Sequence, residues 1–218
     1  ARLQAELRTA GWKLITCDPN IVATLGNKSS LQNLAKKIGK SHLMPTQWSS
    51  PTEAVYPCIL KAAVGMWGEG TQIVESAEEV FNIVGQDLDS NWVLQELISG
   101  SLEISTSLLV LDGEILDAVA TQYEYDKETF VWPRGVNEIS RFSTDNIPDG
   151  QLAVMSAFLK GFSGICNFNY KMRADGEMAI FEVNPRLGAD ITCHTPPDRA
   201  AQFFEKLDEL ELAGNPTD

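Results

Sequence analysis

A chain of 218 residues, 44% of them hydrophobic, can bury roughly 70% of its unfolded surface in one core or two small ones, so it needs no covalent staples. Seventeen basic against thirty acidic residues give a formal charge of −13, and no basic stripe interrupts the excess, which removes nucleic acid from the expected partners. No apolar run reaches membrane-spanning length, which removes a membrane partner as well.

Cys17, Cys58, Cys166 and Cys193 show neither metal-ligand nor redox-pair spacing. They read as reduced, mostly core thiols of a cytoplasmic protein, with disulfides as the other reading. The first residues carry no signal-peptide pattern, and a start without methionine, already inside a helical pattern, reads as a cut or processed end.

Residues 3–10 predict a short helix closed by Gly11, and residues 12–15 an apolar strand; together they read as the end of a larger α/β layer. Leu31, Leu34, Ala35 and Ile38 stand at helical spacing and predict a helix over 28–38, with Asn27 as N-cap and Gly39 as stop. Residues 41–57, rich in Ser, Thr and Pro, read as loop with at most one turn.

Residues 58–61 predict a buried strand ending in Lys61, and residues 71–74 a returning strand. Between them stand Gly65, Gly68 and Gly70, whose backbone N–H groups could approach an anion while Lys61 supplies a point charge. Taken alone, the pattern reads first as a plain glycine-rich hairpin. The Gly-Lys-Ser/Thr ending of a Walker A sequence is absent, which excludes a P-loop.

Ser76 and Glu79 have the form of a capping box that opens a helix to about residue 86, so those carboxylates have a structural task. Residues 92–98 predict a strand broken by Gly100, with a hinge over 96–100. An antiparallel pair over 103–111 and 114–121 turns at Asp112-Gly113 and puts Glu103, Ser105 and Ser107 on one face.

The pattern weakens between residues 123 and 142. Tyr123, Tyr125, Phe130 and Trp132 fit an aromatic ligand face or core packing, and Lys127, Arg134 and Arg141 fit phosphate contacts or ordinary surface charge. Asp149 is expected to cap a helix reaching about residue 160, and Asp198 a terminal helix reaching 212. His42 and His194 lack a third ligand at metal-site spacing and read as incidental.

Residues 164–186 carry the strongest signal. Two alternating runs flank Asp175-Gly176, a two-residue hairpin signal. Pairing across that turn sets Asn169 opposite Glu182, Asn167 opposite Asn184, and Lys171 opposite Ile180. Phe168, Tyr170, Phe181 and Val183 then line the apolar face. The polar face suits a hard cation escorting a phosphate chain, and it suits a half-solvated hairpin as well. Segregated antiparallel strands and helices predict an α+β fold.

In order and separation, Lys28, then Lys61 with residues 65–70, then Gln95 to Ile98 followed by Glu103, then Glu182 to Arg186 resemble the signature of the ATP-grasp superfamily. The similarity runs from about residue 28 to the end. It implies two antiparallel-sheet-plus-helix subdomains enclosing a nucleotide cleft. Residues 55–98 would form the small one with its glycine-rich loop, 99–218 the large one with a metal-binding hairpin, and 1–54 a remnant of an N-terminal domain plus a connecting helix.

The resemblance implies ATP and Mg2+, or Mn2+, as cofactors. Lys28 and Lys61 would contact phosphates under the loop of Gly65, Gly68 and Gly70; Glu96, Leu97 and Ile98 would meet adenine, and Glu103 the ribose hydroxyls. Glu182, Asn184 and Asn169 would ligate metal, and Lys61 and Arg186 would serve catalysis. The implied activity is a ligase that phosphorylates a carboxylic acid and passes the acyl group to an amine. Both substrates would be small molecules, with a separate N-terminal domain, subunit or homodimer partner completing the protein.

Two departures stand out. Many relatives have an acidic ligand where this chain has Asn169, and dipeptide-forming ligases often have an arginine at the position of Asn167. A nucleotide-binding domain with little or no turnover is therefore one alternative, and an α+β interaction module is another.

Overall fold

The computed structural model describes residues 2–63, 70–85 and 88–210. Among them, no helix is long and apolar enough to cross a membrane, and all four cysteines are free, with Cys58 and Cys166 buried. The chain opens with α1 (Arg2–Thr9), which ends as Gly11 takes a left-handed φ of +87°. Residues 12–18 have no regular secondary structure and pair with no strand, so the strand expected at 12–15 does not form. Its apolar side chains border a cavity beside the C-terminal helix instead of a sheet.

A helix absent from the sequence expectations follows. In α2 (Pro19–Gly26), Asp18 accepts a hydrogen bond from the Asn20 backbone N–H at 2.8 Å, and Pro19, whose φ suits the first helical position, needs no N–H there. Next comes α3 (Lys28–Lys37), capped as expected by Asn27, which accepts from the Ser30 N–H at 2.9 Å.

The first sheet contains β1 (Gln47–Trp48), β2 (Cys58–Ala62), β3 (Gln72–Val74) and β4 (Trp92–Glu96), antiparallel throughout in the order β1-β4-β2-β3. Its back is covered by α4 (Ala77–Val84), which buries Val80 against Cys58, Leu60, Val74 and Leu94. Ser76 caps this helix by accepting from the Glu79 N–H. The Glu79 carboxylate reaches back one residue further than a capping box requires, to the Glu75 N–H at 2.7 Å.

The second sheet contains β5 (Leu102–Leu111), β6 (Glu114–Tyr125), β7 (Glu138–Thr144), β8 (Gly164–Met172) and β9 (Met178–Asn184), in the antiparallel order β7-β6-β5-β8-β9. One face packs Leu108, Phe168, Tyr170, Ile180 and Val183 against α2, α3 and α5 (Asp149–Phe158), forming the main core. At one end of the other face Leu109 and Val119 meet Phe203 of α6 (Pro197–Asp208), and toward the other end Tyr123, Tyr125 and Phe130 cluster. Neither Asp149 nor Asp198 is an N-cap. Pro148 and Pro196 hold those positions without a side-chain hydrogen bond, and each aspartate lies in the first helical turn, where a negative charge favours the helix dipole.

The β8–β9 hairpin departs from the expected geometry at two places that cancel. Its connection spans residues 173–177, with Gly176 at φ +85°, and not a two-residue turn, so Met172 faces Met178 and Lys171 faces Ala179 rather than Ile180. A β-bulge then inserts Phe181 between the Tyr170↔Ile180 and Asn169↔Glu182 pairs. The extra residue restores the expected partners of Asn169 and Asn167. It also sends Ile180 into the core and Phe181 toward the opposite side, reversing both expectations.

Candidate active site

The polar face of the large sheet is not a solvated surface but the floor of a cleft of about 550 Å³. One cross-strand rung runs over all five strands as Ser143, Thr121, Ser105, Asn169 and Glu182. Alongside it lies a second rung of Val119, Ser107, Asn167 and Asn184. On the other side are Arg141, Tyr123 and Glu103. Ser105, Ser107, Thr121 and Asn167 are buried, an expensive use of a sheet face unless the groups bond to one another or to a ligand.

The small sheet supplies the roof. Lys61 is 7% exposed and extends from β2 to donate to the Phe181 carbonyl at 3.3 Å, and the Lys28 ammonium at the start of α3 lies 3.1 Å from Glu182. Burial, helped by the neighbouring Lys28, pushes the Lys61 ammonium down to about 7, with Glu182 opposing. Burial also pushes Glu103 up to about 7, against the pull of Lys171.

The segment joining the sheets is fixed from the large-sheet side. Lys171 donates to the carbonyls of Ile98 at 3.3 Å and Gly100 at 2.7 Å, and its ammonium stands 4.1 Å from the Phe130 ring centre. Arg173 grips Glu96 bidentately at 2.5 and 2.9 Å, and Glu96 also accepts from the Thr46 N–H. The Glu96 side chain is thus committed, leaving backbone groups at this position to meet a ligand.

Lys28, Lys61, Glu96, Leu97, Ile98, Glu103, Asn169, Glu182, Asn184 and Arg186 all line this single cleft. Gly70, with φ +67°, is not itself in the lining, though its neighbour Thr71 is. Gly65 and Gly68 lie outside the described residues. A larger cavity of about 950 Å³, bordered by Trp12, Ile15, Phe162 and Phe204, meets the cleft at Arg186 but gathers few charges. Chemistry, not size, selects the cleft.

Several lining residues had no expected role. Gln95 is 2% exposed, and its Oε1 is buried without a hydrogen-bond partner. Phe181 enters through the bulge. Tyr123 and His194 share a hydrogen bond of 2.7 Å between the phenol and Nδ1, so His194 is not incidental to the cleft. Arg141 and the aromatic residues Tyr125, Phe130 and Trp132 line it too. The aromatic spacing in 123–132 signalled part of this, and Arg141 was one of three candidate phosphate contacts; Gln95, Phe181 and His194 arrive through register and folding.

The donor set suits a metal-bound nucleotide. An unpaired Gln95 oxygen beside Ile59, Leu97 and Phe181 suits the exocyclic amine of a flat base, and paired lysines suit phosphates. Among the described residues, no three His, Cys, Asp or Glu side chains are grouped to hold a metal. A cation would therefore draw on the Glu182 carboxylate, amide oxygens and the ligand itself.

Two antiparallel lobes closing over such a cleft define the architecture of the ATP-grasp proteins. The chain belongs to the ATP-grasp family, whose domain model matches residues 27–190. An L-amino acid ligase from Bacillus licheniformis is 17% identical with a TM-score of 0.60, over 83% of this chain and 45% of that one. A D-alanine–D-alanine ligase from Bacillus anthracis is also 17% identical with a TM-score of 0.60, over 93% and 70%. An N5-carboxyaminoimidazole synthase from Aspergillus clavatus, in complex with ADP and an aminoimidazole ribonucleotide, is 16% identical with a TM-score of 0.58, over 98% and 59%. This chain thus spans less than two thirds of the first and third relatives. A sequence search of curated proteins found no match.

Proposed function

We propose that the cleft binds Mg–ATP and that the chain is the nucleotide-binding part of a ligase. The ligase would activate a carboxylic acid as an acyl phosphate for attack by an amine. One observation carries this reading: Glu182, Asn169 and Asn184 form adjacent rungs on the floor while Lys28 and Lys61 reach the same strand from above.

Lys61 and Lys28 would bind phosphate oxygens, and Glu103 would accept hydrogen bonds from ribose hydroxyls. Gln95, Phe181 and the 97–98 backbone would hold the base. Glu182 and Asn184 would hold Mg2+ or Mn2+, with Asn169 a weaker amide ligand; a bound cation supplies charge neutralisation to the phosphates. Arg186 would orient a carboxylate at the phosphate end. On this reading residues 55–98 and 99–218 act as small and large lobes, with the 65–70 loop closing over phosphate. A further domain or subunit would complete the acid site.

A second reading, a nucleotide-binding domain without turnover, is favoured by the amide at Asn169, whose Nδ2 already donates to Asn167 at 3.0 Å. The two readings part in one experiment on the full-length protein. Mg–ATP should raise the melting temperature of wild type beyond what ATP with EDTA gives, and Glu182→Gln should lose that magnesium-dependent part. Release of ADP and phosphate only when acid and amine are both present supports the ligase. Absence of protection in wild type refutes nucleotide binding, and protection without release across a broad acid–amine screen favours the silent domain.

A further inference from the structure

Among the described residues the ion-paired carboxylates include Glu182 with Lys28, Glu96 with Arg173, Glu138 with Arg141, and Asp117 and Asp145 with Arg199. Asp190 is different. It is 2% exposed, lines the cleft, and among the described residues forms no ion pair. Its side-chain partners are neutral. The Ser107 hydroxyl lies 2.9 Å from each carboxylate oxygen and has only one hydrogen to give, and Asn167 Nδ2 donates to Oδ1 at 3.0 Å.

The chain is built to hold that carboxylate in place. A Cβ on Gly188 would stand 2.1 Å from Asp190 Oδ1 and 2.6 Å from Asn167 Nδ2, so the backbone of the loop after β9 lies directly against the group. The π-helical turn Asp190–His194 follows, closed by the Thr195 N–H on the Asp190 carbonyl at 2.8 Å. Burial raises the carboxyl pKa, as expected of an acid kept from water with no cation beside it.

Its place in the cleft limits what it can bind. Asn167 pairs with Asn184 one rung beyond Asn169 and Glu182, on the side away from Glu103 and the segment joining the lobes. A carboxylate at that end repels phosphates and acids and favours a cationic donor.

We infer that Asp190 holds a second, non-reacting ammonium group of the amine substrate, with Ser107 and Asn167 as positioning residues, so that this substrate carries a positive charge beside the amine that reacts. This inference rests on the nucleotide-cleft reading above. It makes the far end of the cleft selective for primary ammonium compounds over neutral molecules of the same shape.

The test uses full-length protein saturated with the magnesium complex of a non-hydrolysable ATP analogue. Methylammonium, ethylammonium, benzylammonium and lysine methyl ester are titrated beside the alcohol that replaces each amine, with binding read by saturation-transfer NMR. At least one amine should bind wild type tenfold or more tightly than its alcohol. Asp190→Asn, which keeps the shape and the Ser107 contact, should erase that ratio while analogue affinity stays within twofold; Ser107→Ala should retain most of it. Wild type without any amine preference overturns the inference even if a variant misfolds, as does an unchanged preference in a folded Asp190→Asn. Wild type that fails to bind the analogue at all instead overturns the nucleotide reading on which it rests.

Discussion

Lys61 offers the sharpest test of the cleft. With its ammonium held down to about 7 by burial and by Lys28, the free protein keeps this side chain mostly neutral at pH 8. Only about one tenth is then protonated. Phosphates placed beside it favour the charged form, so nucleotide binding should draw a proton from solvent. The sign follows from the direction of the shift: a ligand that raises a lysine pKa takes up protons in the window between the free and bound values.

The uptake expected from Lys61 is about 0.9 proton at pH 8 and about 0.1 at pH 6. Glu103, pushed up to about 7, is largely ionised at pH 8 and has little proton to release there. Calorimetric titration with a magnesium–ATP analogue, in buffers of differing ionisation enthalpy, measures the number directly. Lys61→Met should abolish the uptake and weaken binding by about 10- to 100-fold, the value of one charge-assisted contact. Uptake that is equal at both pH values, or that survives in Lys61→Met, would falsify the assignment of Lys61 to phosphate.

Three further outcomes are expected. Glu182→Gln should remove magnesium-dependent thermal protection while leaving the small protection given by nucleotide with EDTA, since Gln95, Glu103 and the lysines remain. Phe168→Ala empties a fully buried site packed edge-on against Phe158 at 6.3 Å and should lower unfolding free energy by about 3–5 kcal/mol, seen as a lower urea midpoint at unchanged slope. Arg173→Met breaks a partly exposed bidentate pair; a double-mutant cycle with Glu96→Gln should give a coupling near 1 kcal/mol, and a value of zero would mean the pair does not fix the joining segment.

What was legible in the sequence follows the range of the forces involved. Alternation and Asp-Gly turns identified β5, β6, β8 and β9 because one face of each packs a core. Asn27 and Ser76 announced their helices because capping is local. Strand β7 escaped because its residues 138–142 are exposed on the sheet edge, where no core enforces a pattern. Helix α2 was hidden by the apolar segment before it, which reads as a strand but finds no partner. In the site, Glu182 and Lys61 could be named from order and spacing. Asp190 and Gln95 could not, because one reaches the cleft through a turn folded back over Asn167 and the other through the single face of β4 that the small lobe turns toward the cleft.

The surplus residue at Phe181 determines which length changes this hairpin can survive. Insertions within 174–177 leave the spacing from Phe181 to Asn184 untouched and alter only an exposed bend. Loss of a single residue between 178 and 181 would rotate Glu182 toward Phe168 and Tyr170, burying an acid among aromatic rings. The bulge is therefore the phase-setting element of the hairpin, and anyone transplanting these strands to another scaffold must carry it along.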